Sequence, residues 1–182
     1  QKIRAWRAFF IGSPATDEAR PAAPDGAFPR HVGAREIGRE PGGIDEPREG
    51  AVDAAWLAAN LARTDVRILD VRLQPAYNGG HIPGSVRMDP EHFRGAVGGV
   101  SSSLLPADMI APHLGLLGIT PATTVVIVPS EKLQDATLIG VALERAGHTR
   151  YAILDGGWEQ WQAENRPVDT SLPAITPTEY PL

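Results

Sequence analysis

Apolar positions follow two different periods along the second part of the chain. Continuous apolar runs rich in Val, Ile and Leu lie within residues 66–72, 124–128 and 150–154 and are bounded by polar or turn residues. Runs of this kind predict buried strands. In residues 52–61 and 134–146 the apolar residues instead recur on one helical face, which predicts short amphipathic helices. Strands that alternate with helices predict an α/β fold: an open, mainly parallel sheet with helices on both faces.

Local signals refine these elements. Asp53 stands where a side-chain cap would start the first helix, and Val52 is expected on the apolar face of that helix. A helix over residues 106–119 is expected to be interrupted near Pro112. A short C-terminal helix carries Trp158 and Trp161 three positions apart, which favours core or interface anchors over a cofactor platform.

Composition divides the chain into three regions. Residues 1–50 hold six prolines and seven glycines, which predicts an irregular N-terminal arm. Residues 51–170 have the strand and helix pattern of one domain, and residues 171–182 form a Pro-rich linker or tail. Four aromatic residues are the expected anchors of the arm: Trp6, Phe9, Phe10 and Phe28.

Charge and cysteine content exclude several classes of function. The chain has 182 residues, a formal net charge of −5 and no cysteine. The negative charge and scattered basic residues give no electrostatic support for a nucleic-acid partner. Without cysteine there is no disulfide, thiolate metal site or cysteine catalysis within the chain. No apolar stretch approaches the roughly 20 residues of a membrane span.

The compartment stays open between cytoplasmic and periplasmic. Residues 1–11 place cations before a short apolar run, which hints at export. The run is too short for a targeting segment and lacks an initiating Met, so we interpret it as an amphipathic docking helix.

The turn after the 124–128 run is the first candidate site, because α/β proteins place chemistry where a strand leads into a helix. Ser130 is expected to be the N-cap of the following helix, and Glu131 and Asp135 would interact favourably with the helix dipole. These features favour a capped structural turn over an anion-binding cradle. A catalytic Ser130 would need a general base, and its neighbours in the loop offer no convincing one.

Several segments, in order, resemble the rhodanese (sulfurtransferase) domain family. The segment "RILDVR" resembles its Asp-x-Arg strand end, "YNGGHIPGS" its Gly-His-Ile-Pro-Gly signature, and "AILDGGWEQWQAENRPV" its closing Gly-Gly-Trp block. The resemblance covers residues 51–170. The segments 52–72 and 104–128 narrow it to the N-terminal half of tandem thiosulfate or 3-mercaptopyruvate sulfurtransferases, whose first domain typically lacks the cysteine.

The resemblance implies where the chemistry of the family would lie. The cysteine that forms the persulfide falls on Ser130, so the loop is expected to be vestigial and the domain non-catalytic. The resemblance also implies a sulfurtransferase parent, a second, cysteine-bearing rhodanese domain as partner, and no cofactor. The loop comprises Ser130, Glu131, Lys132, Leu133, Gln134 and Asp135.

Three further residues are expected to shape the pocket beside this loop. Asp70 and Arg72 are expected to bind each other or loop backbone, and the His81 ring to fix its turn by hydrogen bonds to backbone. His81, Asp89 and His92 do not match a standard metal-ligand spacing, so no metal site is predicted.

Three functions remain open from the sequence. The first is a non-catalytic domain that packs against a catalytic sulfurtransferase domain. The second is a stand-alone regulatory or binding module that uses the vestigial anion pocket. The third is an enzyme in which Ser130 is the nucleophile.

Overall fold

The computed structural model describes residues 50–182. The predicted anchors of the N-terminal arm, Trp6, Phe9, Phe10 and Phe28, lie outside these residues.

The predicted parallel sheet is confirmed. Five strands pair in the order β1-β7-β6-β2-β3, and each pair is parallel. The central strand β6 is buried at all five positions, as expected for a continuous apolar run between two layers of helices. The strands are β1 (Gly50–Val52), β2 (Val66–Asp70), β3 (Val86–Arg87), β6 (Thr124–Val128) and β7 (Tyr151–Leu154). A separate antiparallel pair is formed by β4 (Arg94–Val97) and β5 (Val100–Leu104).

Helices cover both faces of the sheet. The helices are α1 (Ala54–Asn60), α2 (Gln74–Gly79), α3 (Ala107–Leu116), α4 (Leu133–Arg145) and α5 (Gly157–Ala163). Alternate residues of β6 divide the core: Val125 packs with the α3 and α4 side, and Val126 with the α1 and α5 side. This is the period-2 alternation of a strand buried on both faces. No helix among residues 50–182 is long and apolar enough to cross a membrane.

Two local predictions near Pro112 and Val52 are wrong. Helix α3 continues through Pro112, and the fully buried Ile110 and Leu114 on either side hold it against the core. Packing of this kind offsets the backbone hydrogen bond that proline cannot donate. Val52 belongs to β1 and pairs with Leu154, so the first helix begins only after Asp53. The Asp53 carboxylate caps α1 as predicted and accepts from the Trp56 amide at 2.6 Å.

Helix α2 and the β4–β5 hairpin are not predicted by the sequence pattern. Helix α2 has six residues, and Tyr77 is its only buried one. Its sequence therefore lacks the periodic apolar face by which a helix is predicted. Strand β5 contains a run of serines with Ser102 at φ 55°, a pattern without apolar alternation.

The C-terminal segment 171–182 has no helix or strand, yet its last residues dock on the domain. The Thr178 amide donates to the Gly115 carbonyl at 2.8 Å, and the Tyr180 side chain is buried. A β-carbon at Gly115 would collide with the Thr178 carbonyl oxygen, so glycine is required for this close approach.

His148 anchors the same segment from the core. Its ring is buried, with Nδ1 3.2 Å from the Tyr180 hydroxyl and Nε2 3.2 Å from the Arg150 carbonyl. A neutral ring with its proton on Nε2 satisfies both contacts, because it donates to the carbonyl and accepts from the hydroxyl. Burial lowers the pKa of the His148 imidazole from its ordinary value of 6.5, which favours this neutral form.

The free energy of unfolding is therefore expected to depend on pH through His148. The lowered pKa in the folded state means that the unfolded chain takes up this proton first, so the contribution is complete above about pH 6.5 and is lost as the pH falls. Urea denaturation at intervals between pH 7.5 and 5 should show a falling free energy of unfolding. The slope of the free energy of unfolding against pH should be smaller in His148→Gln than in the unaltered chain. Equal slopes in the two proteins would contradict the assignment of this pH dependence to His148.

Candidate functional site

The candidate site lies at the carboxyl edge of the sheet, where two neighbouring strands end together. Asp70 at the end of β2 pairs in register with Val128 at the end of β6. The loop that follows β2 and the loop that follows β6 therefore meet above the sheet. This is the position where open α/β sheets usually form binding crevices.

Ser130 is held by hydrogen bonds on both sides of its hydroxyl. Its oxygen accepts from the Lys132 amide at 3.0 Å, and its proton points to the Asp135 carboxylate at 2.7 Å, with the Lys132 carbonyl 3.0 Å away. The predicted N-cap role of Ser130 is wrong: Lys132 is the N-cap and α4 begins at Leu133. The turn needs two more residues before the chain becomes helical, so the serine closes the loop instead of capping the helix.

The sequence did not reveal the contact between Ser130 and Asp135. Asp135 lies in the first turn of α4, as expected for a carboxylate at the positive end of a helix dipole. The helix start brings this residue back over the loop, five positions after the serine. None of the described residues that line the neighbouring cleft is a histidine, so the serine lacks the hydroxyl–imidazole arrangement of an activated nucleophile.

Asp70 and Arg72 form a buried ion pair at the end of β2. Arg72 Nη2 lies 2.6 Å from Asp70 Oδ2, and the two side chains are only 8% and 0% exposed. The same guanidinium donates to the Gly80 carbonyl at 2.9 Å and lies 4.2 Å from the centre of a Trp158 ring. The charge, the hydrogen-bond donors and the flat face of the Arg72 guanidinium therefore all have partners within the protein.

His81 fixes the turn that precedes β3. Its ring stacks on Tyr77 at a centroid distance of 3.9 Å, with Nδ1 2.9 Å from the Tyr77 carbonyl and Nε2 3.1 Å from the Ser171 carbonyl. Its backbone exchanges two hydrogen bonds with Asp169. Both ring nitrogens therefore face backbone oxygens.

Two of the three residues that do not match a metal-ligand spacing, His81 and Asp89, have separate structural roles. His81 is buried in its turn, whereas Asp89 binds the Arg87 guanidinium at 3.1 Å and accepts from the Glu91 amide. The Glu91 amide and the Arg87 guanidinium hold the pKa of Asp89 below its ordinary value. Within residues 50–182 no group of three or more His, Cys, Asp or Glu side chains could hold a metal ion.

A cleft of ≈ 450 Å³ opens beside these residues. One part of its wall is apolar and the other part is charged, and residues from α2 and α5 complete it. Neither α2 nor Glu159, the acid of α5, is predicted at this site from the sequence. The apolar part includes Val71, Leu73, Pro75, Ala76 and Trp158; the charged part includes Arg72, Glu131, Lys132, Asp135 and Glu159.

Loss of the Arg72 side chain should destabilise the domain strongly. In Arg72→Ala the Asp70 carboxylate would remain buried without its partner, which typically costs about 3–5 kcal/mol of unfolding free energy. Urea denaturation measures the loss. Arg94→Ala is the matched control, because Arg94 pairs with Glu91 at 3.3 Å on the surface, where such pairs contribute about 0–1 kcal/mol. Similar losses in the two variants would contradict a structural role for the buried pair.

Several known proteins that are similar in sequence to this chain are sulfurtransferases. The thiosulfate sulfurtransferase of Azotobacter vinelandii is 29% identical over 123 residues, which cover 68% of this chain and 45% of that protein. The 3-mercaptopyruvate sulfurtransferase of Rattus norvegicus is 28% identical over 131 residues, which cover 71% of this chain and 41% of that protein. The chain therefore spans less than half the length of these two relatives.

A solved structure gives the same fold. The crystal structure of SseA from Escherichia coli, described with the 3-mercaptopyruvate sulfotransferases, aligns with a TM-score of 0.64 at 23% identity and covers 72% of this chain and 56% of that one. The Rhodanese-like domain family model matches residues 53–164, which is more than half of the sequence. The chain belongs to the rhodanese-like domain family.

Proposed function

We propose that this chain is the non-catalytic, supporting half of a thiosulfate or 3-mercaptopyruvate sulfurtransferase. A second rhodanese domain, in the same parent chain or in a separate one, supplies the cysteine that forms the persulfide. The observation that carries the proposal is Ser130, which occupies the position that the family resemblance assigns to the cysteine, in a chain without any cysteine. A hydroxyl in that position cannot take up the sulfur of a donor as a persulfide.

The hydrogen bonds of the loop support the absence of sulfur chemistry here. A reactive thiolate and an anionic donor are stabilised by backbone N–H groups at a helix start. The Lys132 amide is already bound to Ser130 Oγ, and the Asp135 carboxylate lies beside the same oxygen. Glu131 adds a second carboxylate to the cleft wall. This environment repels an anionic sulfur donor.

The lengths of the relatives and the surface near the cleft support a partner domain. The matched regions cover 45% and 41% of the two sulfurtransferases, which leaves room in those proteins for a second domain. Near the cleft, Leu73 is 74% exposed and Leu133 is 63% exposed. Large apolar side chains in such positions are typical of a surface that another domain covers.

Introducing the missing thiol should not restore catalysis. In Ser130→Cys, Glu131 and Asp135 would still repel thiosulfate, so sulfur transfer from thiosulfate to cyanide should stay at the level of the unaltered chain. Intact mass after exposure to thiosulfate should show no added sulfur atom. Substantial activity from this single substitution would contradict the electrostatic argument. The triple variant Ser130→Cys/Glu131→Gln/Asp135→Asn tests whether the two carboxylates account for the block.

The native protein tests the partner domain directly. Intact mass spectrometry of the product purified from its source should show a chain longer than these 182 residues, or a separate co-purifying chain, with a cysteine-bearing rhodanese domain. Such a domain should have a cysteine in the loop that corresponds to residues 130–135. A monomeric native product of these residues alone, without such a partner, would contradict the proposal.

A stand-alone regulatory or binding module is the second candidate function. The ≈ 450 Å³ cleft favours it, because a space of this size with apolar and charged walls can hold a small ligand or a peptide side chain. The composition of the native product distinguishes the two candidate functions. A supporting half of a sulfurtransferase has a cysteine-bearing partner domain, whereas a stand-alone module has none.

A further inference from the structure

We propose that the cleft binds a basic segment of a protein partner, a Lys or Arg side chain flanked by apolar residues. This inference rests on the proposed function in one respect: the partner that carries the segment is the cysteine-bearing domain. The occupant is therefore opposite in charge to the anions that the vestigial pocket was expected to hold.

The charged side chains of the cleft favour a cation as its occupant. Arg72 is neutralised by Asp70, which lies 2.6 Å away and is inaccessible to solvent. The other charged groups of the wall are three carboxylates, of Glu131, Asp135 and Glu159, and one ammonium group, of Lys132. The cleft is therefore negative, and a cation entering it is attracted.

Most of these charged groups have no ion-pair partner among the described residues. Among residues 50–182, Glu131, Lys132 and Glu159 have no ion-pair partner, and Asp135 accepts one hydrogen bond, from Ser130. Glu131 and Glu159 are exposed and come from different elements, the loop after β6 and α5. Two carboxylates on separate parts of one wall are thus available to an incoming ammonium or guanidinium group.

The apolar wall explains why the occupant is a long basic side chain and not a simple ion. Val71, Pro75 and Trp158 line the same space, so the methylene stem of Lys or Arg can pack against carbon while its charged end meets the acids. The exposed Leu73 and Leu133 offer contacts to apolar neighbours of that residue. A charged anchor enclosed by apolar contacts is a common arrangement at the centre of protein interfaces.

A peptide titration tests the proposal on the full chain. The probe is acetyl-Ala-Leu-Arg-Leu-Ala-amide, with the same peptide carrying Glu in place of Arg as its counterpart, and calorimetry at low and high salt as the measurement. The Arg peptide should bind and the Glu peptide should not, and binding should weaken as salt screens the charges. No binding of the Arg peptide, or stronger binding of the Glu peptide, would overturn the proposal.

Matched variants locate the binding in the cleft. Glu131→Gln/Glu159→Gln removes two cleft charges and should weaken binding of the Arg peptide about 2- to 30-fold, the range for two partly exposed ion pairs. Asp108→Asn/Glu179→Gln removes the same charge from exposed positions that do not line the cleft and should leave the affinity unchanged. Equal affinities of the two double variants would overturn the assignment to the cleft.

The peptide titration and the mass of the native product together distinguish a failure of this inference from a failure of the proposed function. If the native product has a cysteine-bearing domain but the Arg peptide does not bind, the inference fails and the proposed function stands. If the peptide binds in the cleft but the native product lacks such a domain, the basic segment belongs to another protein and the sulfurtransferase role fails.

Discussion

The buried ion pair between Asp70 and Arg72 is the interaction on which the cleft depends. It turns the chain at the end of β2, because the Asp70 carboxylate also accepts the Arg72 amide at 3.0 Å. The guanidinium then reaches Gly80 at the end of α2 and Trp158 in α5. One charged group thereby joins the end of β2 to the end of α2, eight residues later, and to α5, which is distant in the sequence. Their positions determine the walls of the cleft, so its shape follows from a charge that must stay paired because it is buried.

Ser130 gives the same edge of the sheet its chemical character. Its hydroxyl accepts from an amide and donates to Asp135, which makes the loop a closed hydrogen-bonded turn. The fold still supplies a cleft at the carboxyl end of a parallel sheet. The side chains around it include three carboxylates and one ammonium group beside the buried ion pair, and this negative charge connects the proposed non-catalytic role with the proposed binding of a basic partner segment.

Much of the fold followed from short-range patterns. The apolar runs of β2, β6 and β7 predicted buried strands, and the one-sided apolar face of residues 134–146 predicted α4 to within one residue. The predictions failed where a longer-range contact decided the local structure. Pro112 stays inside a helix because its neighbours are buried, and Val52 becomes a strand residue because β7 offers it a partner.

The sequence by itself determined the family, the succession of the main strands and helices along the chain and the absence of a thiol, because apolar period, motif residues and residue identity are local properties. Tertiary structure alone decided which side chains meet. The contact from Ser130 to Asp135, the position of Glu159 in the same cleft wall and the docking of Tyr180 against His148 each join residues through the packing of separate elements. Such contacts depend on how helices and loops pack around the sheet. No local pattern in the chain determines which residues of separate elements lie within contact distance.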